Sequence, residues 1–312
     1  MATHTIFICG ATGLQGGALA RQLRALNWTV HTTARDPSSP AATALTSLGV
    51  HVHAGSWNDT AVLTTALTGC DLLFLNLVPD ITNPDAERQD GETILAAATA
   101  AGVQHVVYSS GIDMPVLKRD PSHFLSVVFR SKLELERGLQ AGDSVPFIFP
   151  RWTILRPGFF MSNFLAPRVN MLYPGSTQSG AFTVGFRPTS GLPMIDHEDI
   201  ARFAVAAFQD PDRFQGRVVD VISQTVTFER AMKIIGGAAG REIKVEYLTD
   251  EQIKEGIPTN PLLAMQEELR DVRPLGDKDA KEVAKGWGVE VGTFEQFAER
   301  EKAAFEETYQ AA

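Results

Sequence analysis

Apolar runs of strand length alternate with amphipathic segments of helix length along the first half of the chain. Strands are predicted at residues 5–9, 28–34, 50–54, 71–77 and 103–109. The run at 71–77 is almost continuously apolar, which is typical of a parallel strand covered on both faces. Repeated strand–helix–strand units require a parallel sheet with right-handed crossovers. The pattern therefore predicts an α/β fold built on a doubly wound parallel sheet.

The alternation becomes less regular in the second half of the chain. The predicted elements there are helices at 122–139, 250–256 and 293–308 and strands near 152–157, 180–187 and 192–196. Two of these helices begin at sequences that fit capping boxes, one at Thr249 and one at Thr293. We predict a first domain over residues 1–156, with its sheet completed by about residues 192–222, and a smaller α+β lobe. The predicted lobe comprises residues 157–191 and 223–312.

Composition excludes several classes of protein. The net charge of −9 disfavours direct binding of nucleic acid, because phosphate recognition requires a basic face. The two cysteines, Cys9 and Cys70, fall in predicted strands and are interpreted as core residues, not as a disulfide or metal ligands. No run approaches the roughly 18 apolar residues of a membrane span, and the opening residues lack the basic flank of a signal peptide. We therefore expect a cytoplasmic protein with a small-molecule substrate and no membrane partner.

Three glycines follow the first predicted strand and lead into the first predicted helix: Gly10, Gly13 and Gly16. In this order the first glycine makes a tight turn, the second lets the backbone approach a pyrophosphate, and the third packs helix against strand. The helix N-terminus then presents free N–H groups to the phosphates. The segment predicts a dinucleotide site, and an ordinary strand–helix turn is the alternative. The residues expected to seat the pyrophosphate are Gly10, Thr12, Gly13, Leu14, Gln15 and Gly16.

The tip of the second predicted strand indicates which dinucleotide is bound. Arg35 stands there about 20 residues beyond the glycines, followed by Asp36. An arginine at this position pairs with a ribose 2′-phosphate, whereas an acidic residue binds a free 2′-hydroxyl. NADP(H) is therefore favoured over NAD(H). Asp36 as a ribose ligand and Arg35 as a solvated surface residue remain the alternatives.

Other candidates follow later strands. Asn58 and Asp59 are candidates for contact with the adenine or for a helix cap. Ser110 is a candidate for contact with the nicotinamide ribose or substrate, or for an ordinary turn. An acidic cluster at residues 196–199 is interpreted as a helix cap, and no metal site is predicted.

An aromatic run with one amide follows the strand near residue 152. An apolar wall with a single polar group is typical of a site for a flat organic ligand. A plain hydrophobic helix start is the alternative. The candidate substrate residues are Phe159, Phe160, Asn163 and Phe164.

Several of these segments, taken in order, resemble the NmrA-like family, a branch of the atypical short-chain dehydrogenases. The matching segments are residues 10–17, the Arg35 tip, residues 106–111, the helix around Lys132, residues 155–164 and residues 195–201. The resemblance implies a Rossmann-like domain that prefers NADP and a small C-terminal lobe over a cleft. It also implies relatives of two kinds, NADPH-dependent reductases of conjugated compounds and redox-sensing regulators.

The resemblance makes Lys132 the candidate catalytic and cofactor-binding residue. Ordinary short-chain dehydrogenases pair such a lysine with a tyrosine four residues earlier, which protonates the substrate oxygen. Here that position holds Val128. Tyr108 and His123 are the alternative acids, and neither matches the family pattern.

The missing tyrosine favours acceptors that need little help from an acid. We therefore expect an NAD(P)H-dependent reductase of a small conjugated carbonyl, quinone or imine, whose product anion Lys132 or water protonates. The alternative is an NADP(H)-binding redox sensor with little or no turnover that docks on a protein partner.

Overall fold

The computed structural model describes residues 4–80, 82–114, 116–141, 148–272 and 277–310, without the side chains of 277 and 278. The strands are β1 (Thr5–Ile8), β2 (Thr29–Ala34), β3 (His51–Ala54), β4 (Leu72–Asn76), β5 (His105–Ser109), β6 (Arg151–Pro157), β7 (Phe159–Phe160), β8 (Ala181–Val184), β9 (Gly191–Ile195), β10 (Arg217–Val221), β11 (Gln224–Thr227) and β12 (Lys244–Tyr247). The helices are α1 (Leu14–Ala25), α2 (Pro40–Ser47), α3 (Thr60–Leu67), α4 (Ala86–Ala101), α5 (Val116–Arg119), α6 (Phe124–Gln140), α7 (Arg168–Leu172), α8 (Ser176–Ser179), α9 (His197–Gln209), α10 (Pro211–Phe214), α11 (Phe228–Ala239), α12 (Asp250–Gly256), α13 (Leu262–Leu269), α14 (Asp277–Gly286), α15 (Phe294–Arg300) and α16 (Lys302–Thr308). A short 3-10 helix covers Met161–Phe164.

Contacts within the chain group it into two compact units. The first unit contains the residues up to 112 together with 127–157 and 200–221. The second contains 113–126, 158–199 and the residues from 222 onward. The first unit contains one seven-stranded sheet and the second contains two smaller sheets, and each unit has its own core.

The first unit is built on a seven-stranded sheet. Its strand order is β10-β6-β5-β4-β1-β2-β3, and every neighbouring pair is parallel. The chain builds outward from β1 to β3 and then crosses to the other side of β1, where β4 begins the second half. Every residue of β4 and of β5 is buried, as expected for central parallel strands covered by helices. The predicted doubly wound α/β sheet is confirmed.

One apolar cluster packs helices α3 and α4 against this sheet. It includes Phe7 of β1, Leu63 of α3, Leu73 of β4, Ile94 of α4 and Tyr108 of β5, each with no exposed surface. Parallel strands present residues to both faces, so their apolar runs supply a core on each side. Tyr108 is therefore a core residue of this unit.

The structure differs from expectation at the strand predicted for residues 192–196. This strand is β9, and it does not join the large sheet. It is the central strand of a three-stranded sheet in the second unit, antiparallel to β11 and parallel to β7. The large sheet is completed by β10 alone, which pairs with β6. An apolar run predicts a strand but carries no signal for its partner, which explains the difference.

The second unit has an aromatic core. Tyr173 packs edge-on against Phe182 at a centroid distance of 5.1 Å, and Phe228 lies 5.9 Å from Phe182. These two ring pairs have tilted or edge-to-face geometry, which aromatic side chains prefer to face-to-face stacking.

The chain segment predicted as one strand at 180–187 forms β8, which pairs in parallel with β12.

Local signals for the C-terminal helices agree with the structure. Thr249 with Gln252, and Thr293 with Gln296, each form a complete reciprocal capping box. The helix predicted at 293–308 is divided at Glu301 into α15 and α16. Both cysteines are buried and unpaired. In the part of the chain that the structure describes, no helix is long and apolar enough to span a membrane.

Candidate functional site

The glycine segment forms a tight turn between β1 and α1. Gly10 has a φ of +66°, a left-handed conformation that glycine adopts without strain. The N–H of Gly13 donates to the Gly10 carbonyl at 3.0 Å and closes the turn. At Gly16, a Cβ would lie 2.5 Å from the Gly10 carbonyl oxygen and 2.8 Å from Ala11 Cα. Only glycine at position 16 lets α1 pack this closely against the turn.

The N-terminus of α1 has free backbone donors. No side chain caps it, and its first turn holds no acidic residue. Gly17 donates to the Gly13 carbonyl at 2.9 Å, so the N–H groups of Leu14, Gln15 and Gly16 precede the first intrahelical bond. Unpaired N–H groups and the positive end of the helix dipole together favour an anion. Thr12, Gly13 and Leu14 are exposed at this end.

Two residues that were not among the candidate site residues, Asn76 and Ser109, lie against this turn. Asn76, at the end of β4, has its amide nitrogen 3.3 Å from where a Cβ on Gly10 would be. The hydroxyl of Ser109, at the end of β5, donates to Gln15 Oε1 at 2.8 Å. These contacts join the start of α1 to the carboxyl ends of β4 and β5, where ligands of doubly wound sheets bind. In the sequence, the signal for Asn76 and Ser109 is that each is a polar residue at the end of a predicted apolar strand.

Arg35 and its neighbour Asp36 have different surroundings. Asp36 Oδ1 accepts hydrogen bonds from the Ser38 hydroxyl at 2.6 Å and the Ser38 N–H at 2.9 Å. These two bonds lower the pKa of Asp36. Arg35 directly follows β2, is exposed, and has no ion pair or side-chain hydrogen bond among the described residues. The Arg35 guanidinium is therefore available to a ligand, whereas Ser38 already engages one of the two carboxylate oxygens of Asp36.

The structure assigns local roles to Asn58 and Asp59. Asp59 Oδ1 accepts from the N–H groups of Ala61 and Val62, both at 3.1 Å, and so caps α3. The Ser56 hydroxyl donates to Asn58 Oδ1 at 2.5 Å. Asp59 thus has the helix-cap role, and Asn58 is engaged by the hydroxyl of Ser56 two residues earlier. Ser110 is buried, and its N–H donates to the Leu155 carbonyl at 2.8 Å.

Lys132 lies on α6 with only 9% of its side chain exposed. Its Nζ forms an ion pair with Glu87 Oε1 of α4 and donates to the Leu77 carbonyl at 3.4 Å. Leu77 directly follows β4, so the ammonium lies at the carboxyl edge of the sheet. Glu87 was not singled out in the sequence, because an acidic residue in a first helical turn is ordinarily read as a dipole partner.

No tyrosine of this unit is placed to act as an exposed acid. Val128 occupies the position one helical turn before Lys132. Tyr108, the one tyrosine in this unit, has no exposed surface. Burial raises its pKa well above the usual value, and the charges of Glu87 and Glu136 raise it further. Tyr108 therefore stays protonated within the core.

The candidate substrate residues belong to the second unit. Phe159, Phe160 and Asn163 are half-buried. Phe164 has no exposed surface and packs against Phe228 and Phe294 at centroid distances of 5.9 Å. The structure thus makes Phe164 a core residue of the second unit.

His123 and the acidic cluster have structural roles in the second unit. His123 Nδ1 accepts from the Leu125 N–H at 3.3 Å at the start of α6. Asp196 Oδ1 accepts from the Glu198 N–H at 3.1 Å, and its two oxygens pair with Arg300 at 2.7 and 3.0 Å. Among the residues described, no group of three or more His, Cys, Asp or Glu side chains is arranged to hold a metal ion.

Comparison with known proteins gives a family match over nearly the whole chain. The sequence model of the NmrA-like family matches residues 2–299. An NAD(P)H azoreductase of Xenophilus azovorans is 29% identical over 314 residues, covering 96% of this chain and 99% of that protein. A (4-alkanoyl-5-oxo-2,5-dihydrofuran-3-yl)methyl phosphate reductase of Streptomyces griseus is 32% identical, covering 78% and 77%. The crystal structure of NmrA, a negative transcriptional regulator, in complex with NADP shares the fold, with a TM-score of 0.76, 19% identity and coverage of 99% and 98%.

Proposed function

The chain belongs to the NmrA-like family, and we propose that it is an NADPH-dependent reductase of a small conjugated carbonyl, quinone or imine. The names of two relatives support reductase activity, and one of them is an NAD(P)H azoreductase. The observation that carries the proposal is the uncapped N-terminus of α1. This helix begins directly after the glycine turn, at the carboxyl ends of the parallel strands.

The residues at this turn fit a nicotinamide dinucleotide. Gly16 brings α1 within contact of the turn, and the free N–H groups of the first helical turn suit a pyrophosphate. When bound, a reduced nicotinamide supplies a hydride. In this proposal the pyrophosphate is held by the backbone and side chains of Gly10, Thr12, Gly13, Leu14, Gln15 and Gly16.

Arg35 is proposed to select NADPH over NADH. Its guanidinium is exposed at the end of β2 and has no protein partner in the described ranges. A planar guanidinium pairs with a phosphate through two charge-assisted hydrogen bonds. Asp36 does not share this role, because a carboxylate repels a phosphate and suits a free 2′-hydroxyl instead.

Lys132 is proposed to orient the nicotinamide ribose, together with Ser110, and to supply a proton to the reduced product. An ammonium has three hydrogens, and Glu87 and the Leu77 carbonyl accept two of them. Because Val128 replaces the usual tyrosine, the preferred acceptors are those whose product anion is delocalised. Quinones, activated C=C bonds and conjugated imines meet this condition.

Substrate contact is proposed for the half-buried residues of the second unit. Phe159 and Phe160 offer apolar surface, and Asn163 offers one amide to orient a polar group. Phe164 supports Phe159 from the core, with their ring centroids 5.6 Å apart.

Cofactor titration tests this proposal. NADPH and NADH are titrated by fluorescence against the wild type, Arg35→Ala and the control Arg217→Ala. Arg217 is also exposed in the first unit. It begins β10, which is the outermost strand on the side of the sheet far from β2. We expect Arg35→Ala to weaken NADPH binding at least about tenfold, or about 1.4 kcal/mol, and to leave NADH binding unchanged. Equal affinity of the wild type for both cofactors would contradict the role of Arg35.

Turnover distinguishes the reductase from the second candidate, an NADP(H) sensor. Val128 at the position of the usual tyrosine is the observation that favours the sensor. Stopped-flow oxidation of NADPH is followed with a panel of quinones, enones and azo compounds. Oxidation by one class supports the reductase. Tight binding without oxidation by any of them, together with capture of a protein partner by one oxidation state only, supports the sensor.

A further inference from the structure

A buried ion pair joins α4 to α6 at the carboxyl edge of the large sheet. The side chains of Glu87 and Lys132 are 1% and 9% exposed. The pair connects residues 45 positions apart in the chain. Burial removes the hydration of both ions, so a pair of this kind adds little stability over a well-packed apolar pair.

Among the described residues, Lys132 is the one side chain that forms an ion pair with Glu87. Oε1 of Glu87 contacts the lysine ammonium, while Oε2 is buried and has no hydrogen-bond partner in the described part of the chain. A buried carboxylate without compensation is costly. Each side chain of this pair can therefore stay charged and buried only while the other is present.

The surroundings of Lys132 hold it close to the strand ends. Its Nζ donates to the carbonyl of Leu77, directly after β4. At Gly111, which follows β5, a Cβ would lie 2.6 Å from Phe129 Cε1 and 3.6 Å from Lys132 Cδ. The absence of a side chain at Gly111 thus lets α6 lie against the end of β5. Glu87 and Leu77 accept two of the three ammonium hydrogens, which leaves one for a ligand.

We propose that Glu87 is a positioning residue that anchors the Lys132 ammonium so that its remaining hydrogen is directed to the bound nicotinamide nucleotide. This role rests on the proposed function, because it requires that the protein bind the cofactor. Glu87 itself is not proposed as a contact residue, since only 1% of its side chain is exposed.

A double-mutant cycle tests this role through the dissociation constant of NADPH. The variants are Glu87→Gln, Lys132→Met and the double variant. The control is Glu92→Gln, which removes a carboxylate of the same helix that is 43% exposed and paired with Arg88. Melting temperatures are measured alongside, and binding is compared where every variant is folded.

We expect Glu87→Gln and Lys132→Met each to weaken NADPH binding about tenfold, the size expected for one charge-assisted hydrogen bond. In the Lys132→Met background, Glu87→Gln is expected to cause no further loss, because Glu87 acts through the lysine. The control is expected to bind as the wild type does. Glu87→Asp keeps the charge and is expected to recover most of the affinity. The double variant is expected to melt above Lys132→Met, since it leaves no buried carboxylate unpaired.

Three outcomes would each contradict a different claim: that Glu87 has a positioning role, that it acts through Lys132, or that the protein binds the cofactor. Wild-type affinity in a Glu87→Gln variant with a lowered melting temperature would make the pair purely structural. Equal losses from Glu87→Gln with and without Lys132 would show that Glu87 acts independently of the lysine. A wild-type protein that binds neither NADPH nor NADH would instead refute the proposed function itself, and the role of Glu87 with it.

Discussion

Replacing Gly16 with alanine tests the packing on which the glycine turn depends. The new methyl group would meet the Gly10 carbonyl oxygen at 2.5 Å, with Ala11 Cα and the Gly10 carbonyl carbon both at 2.8 Å. All three are backbone atoms, so none can rotate away as a flexible side chain would. The methyl group fits only if α1 moves away from the turn.

The expected cost follows from these contacts. Adding a methyl group to a closely packed site typically costs about 1–3 kcal/mol, and backbone contacts place this site toward the upper value. Alanine returns up to about 1 kcal/mol of helix propensity relative to glycine. Gly17→Ala is the matched control, because it shares that gain. The Cβ of an alanine at position 17 would have the Ala11 carbonyl oxygen as its nearest neighbour, at 3.1 Å. The gain in helix propensity cancels between the two variants, so their difference isolates the steric cost, about 2–3 kcal/mol.

Urea unfolding measures this difference. Three of the four tryptophans, Trp28, Trp57 and Trp152, lie in the first unit, so fluorescence reports chiefly on its unfolding. We expect Gly16→Ala to lower the midpoint at an unchanged slope. Because the displaced helix also carries the free N–H groups, NADPH affinity is expected to fall at least about tenfold. A Gly16→Ala protein as stable as Gly17→Ala, with wild-type affinity, would refute the close approach of α1 to the turn.

Three further predictions follow from the site and the cores. Asp59→Ala should lower the free energy of unfolding by about 1 kcal/mol through loss of the α3 cap and leave NADPH affinity unchanged; weakened binding would instead indicate an adenine contact. Phe164→Ala should lower the stability of the second unit by about 3–5 kcal/mol in urea unfolding, whereas Phe160→Ala should keep the fold and raise the KM for the acceptor; the reverse pattern would contradict their assignments. His105 is 2% exposed, and burial, followed by the charge of Arg151, lowers its pKa from 6.5 to about 4. As the pH falls, the unfolded chain takes up a proton on this histidine before the folded protein does. The contribution of neutral His105 to the free energy of unfolding is therefore fully present above about pH 6.5 and falls by up to about 3 kcal/mol toward pH 4. His105→Gln should lose less stability on acidification, measured by urea unfolding at pH 7 and 4.5.

Much of the first unit was predictable because its signals are local. The alternation of apolar runs and amphipathic segments predicted the parallel sheet, since central strands must be apolar on both faces. In the second unit, the capping boxes at Thr249 and Thr293 were recognisable because their partners stand three residues away. Gly10 and Gly16 were recognisable for the same reason, since the turn brings together residues only six apart.

Side-chain environments were less predictable. Phe164 and Phe160 stand in one aromatic run, but one is wholly buried and the other half-buried. Asp59 fitted a cap and a ligand contact equally well in the sequence, and only the structure shows that it caps α3. In each case the residue type allowed several environments, and the geometry of the surrounding backbone decided which one it has.

The amino-acid sequence by itself determined the fold class, the glycine turn and the position of Arg35, because the patterns that indicate them are local in the chain. Only the tertiary structure decided that β9 pairs with β11 and β7 instead of the large sheet. It also decided that Lys132 is paired with Glu87, a residue 45 positions earlier. Strand pairing and buried charge compensation are properties of distant segments brought together, and no local pattern specifies which segments will meet.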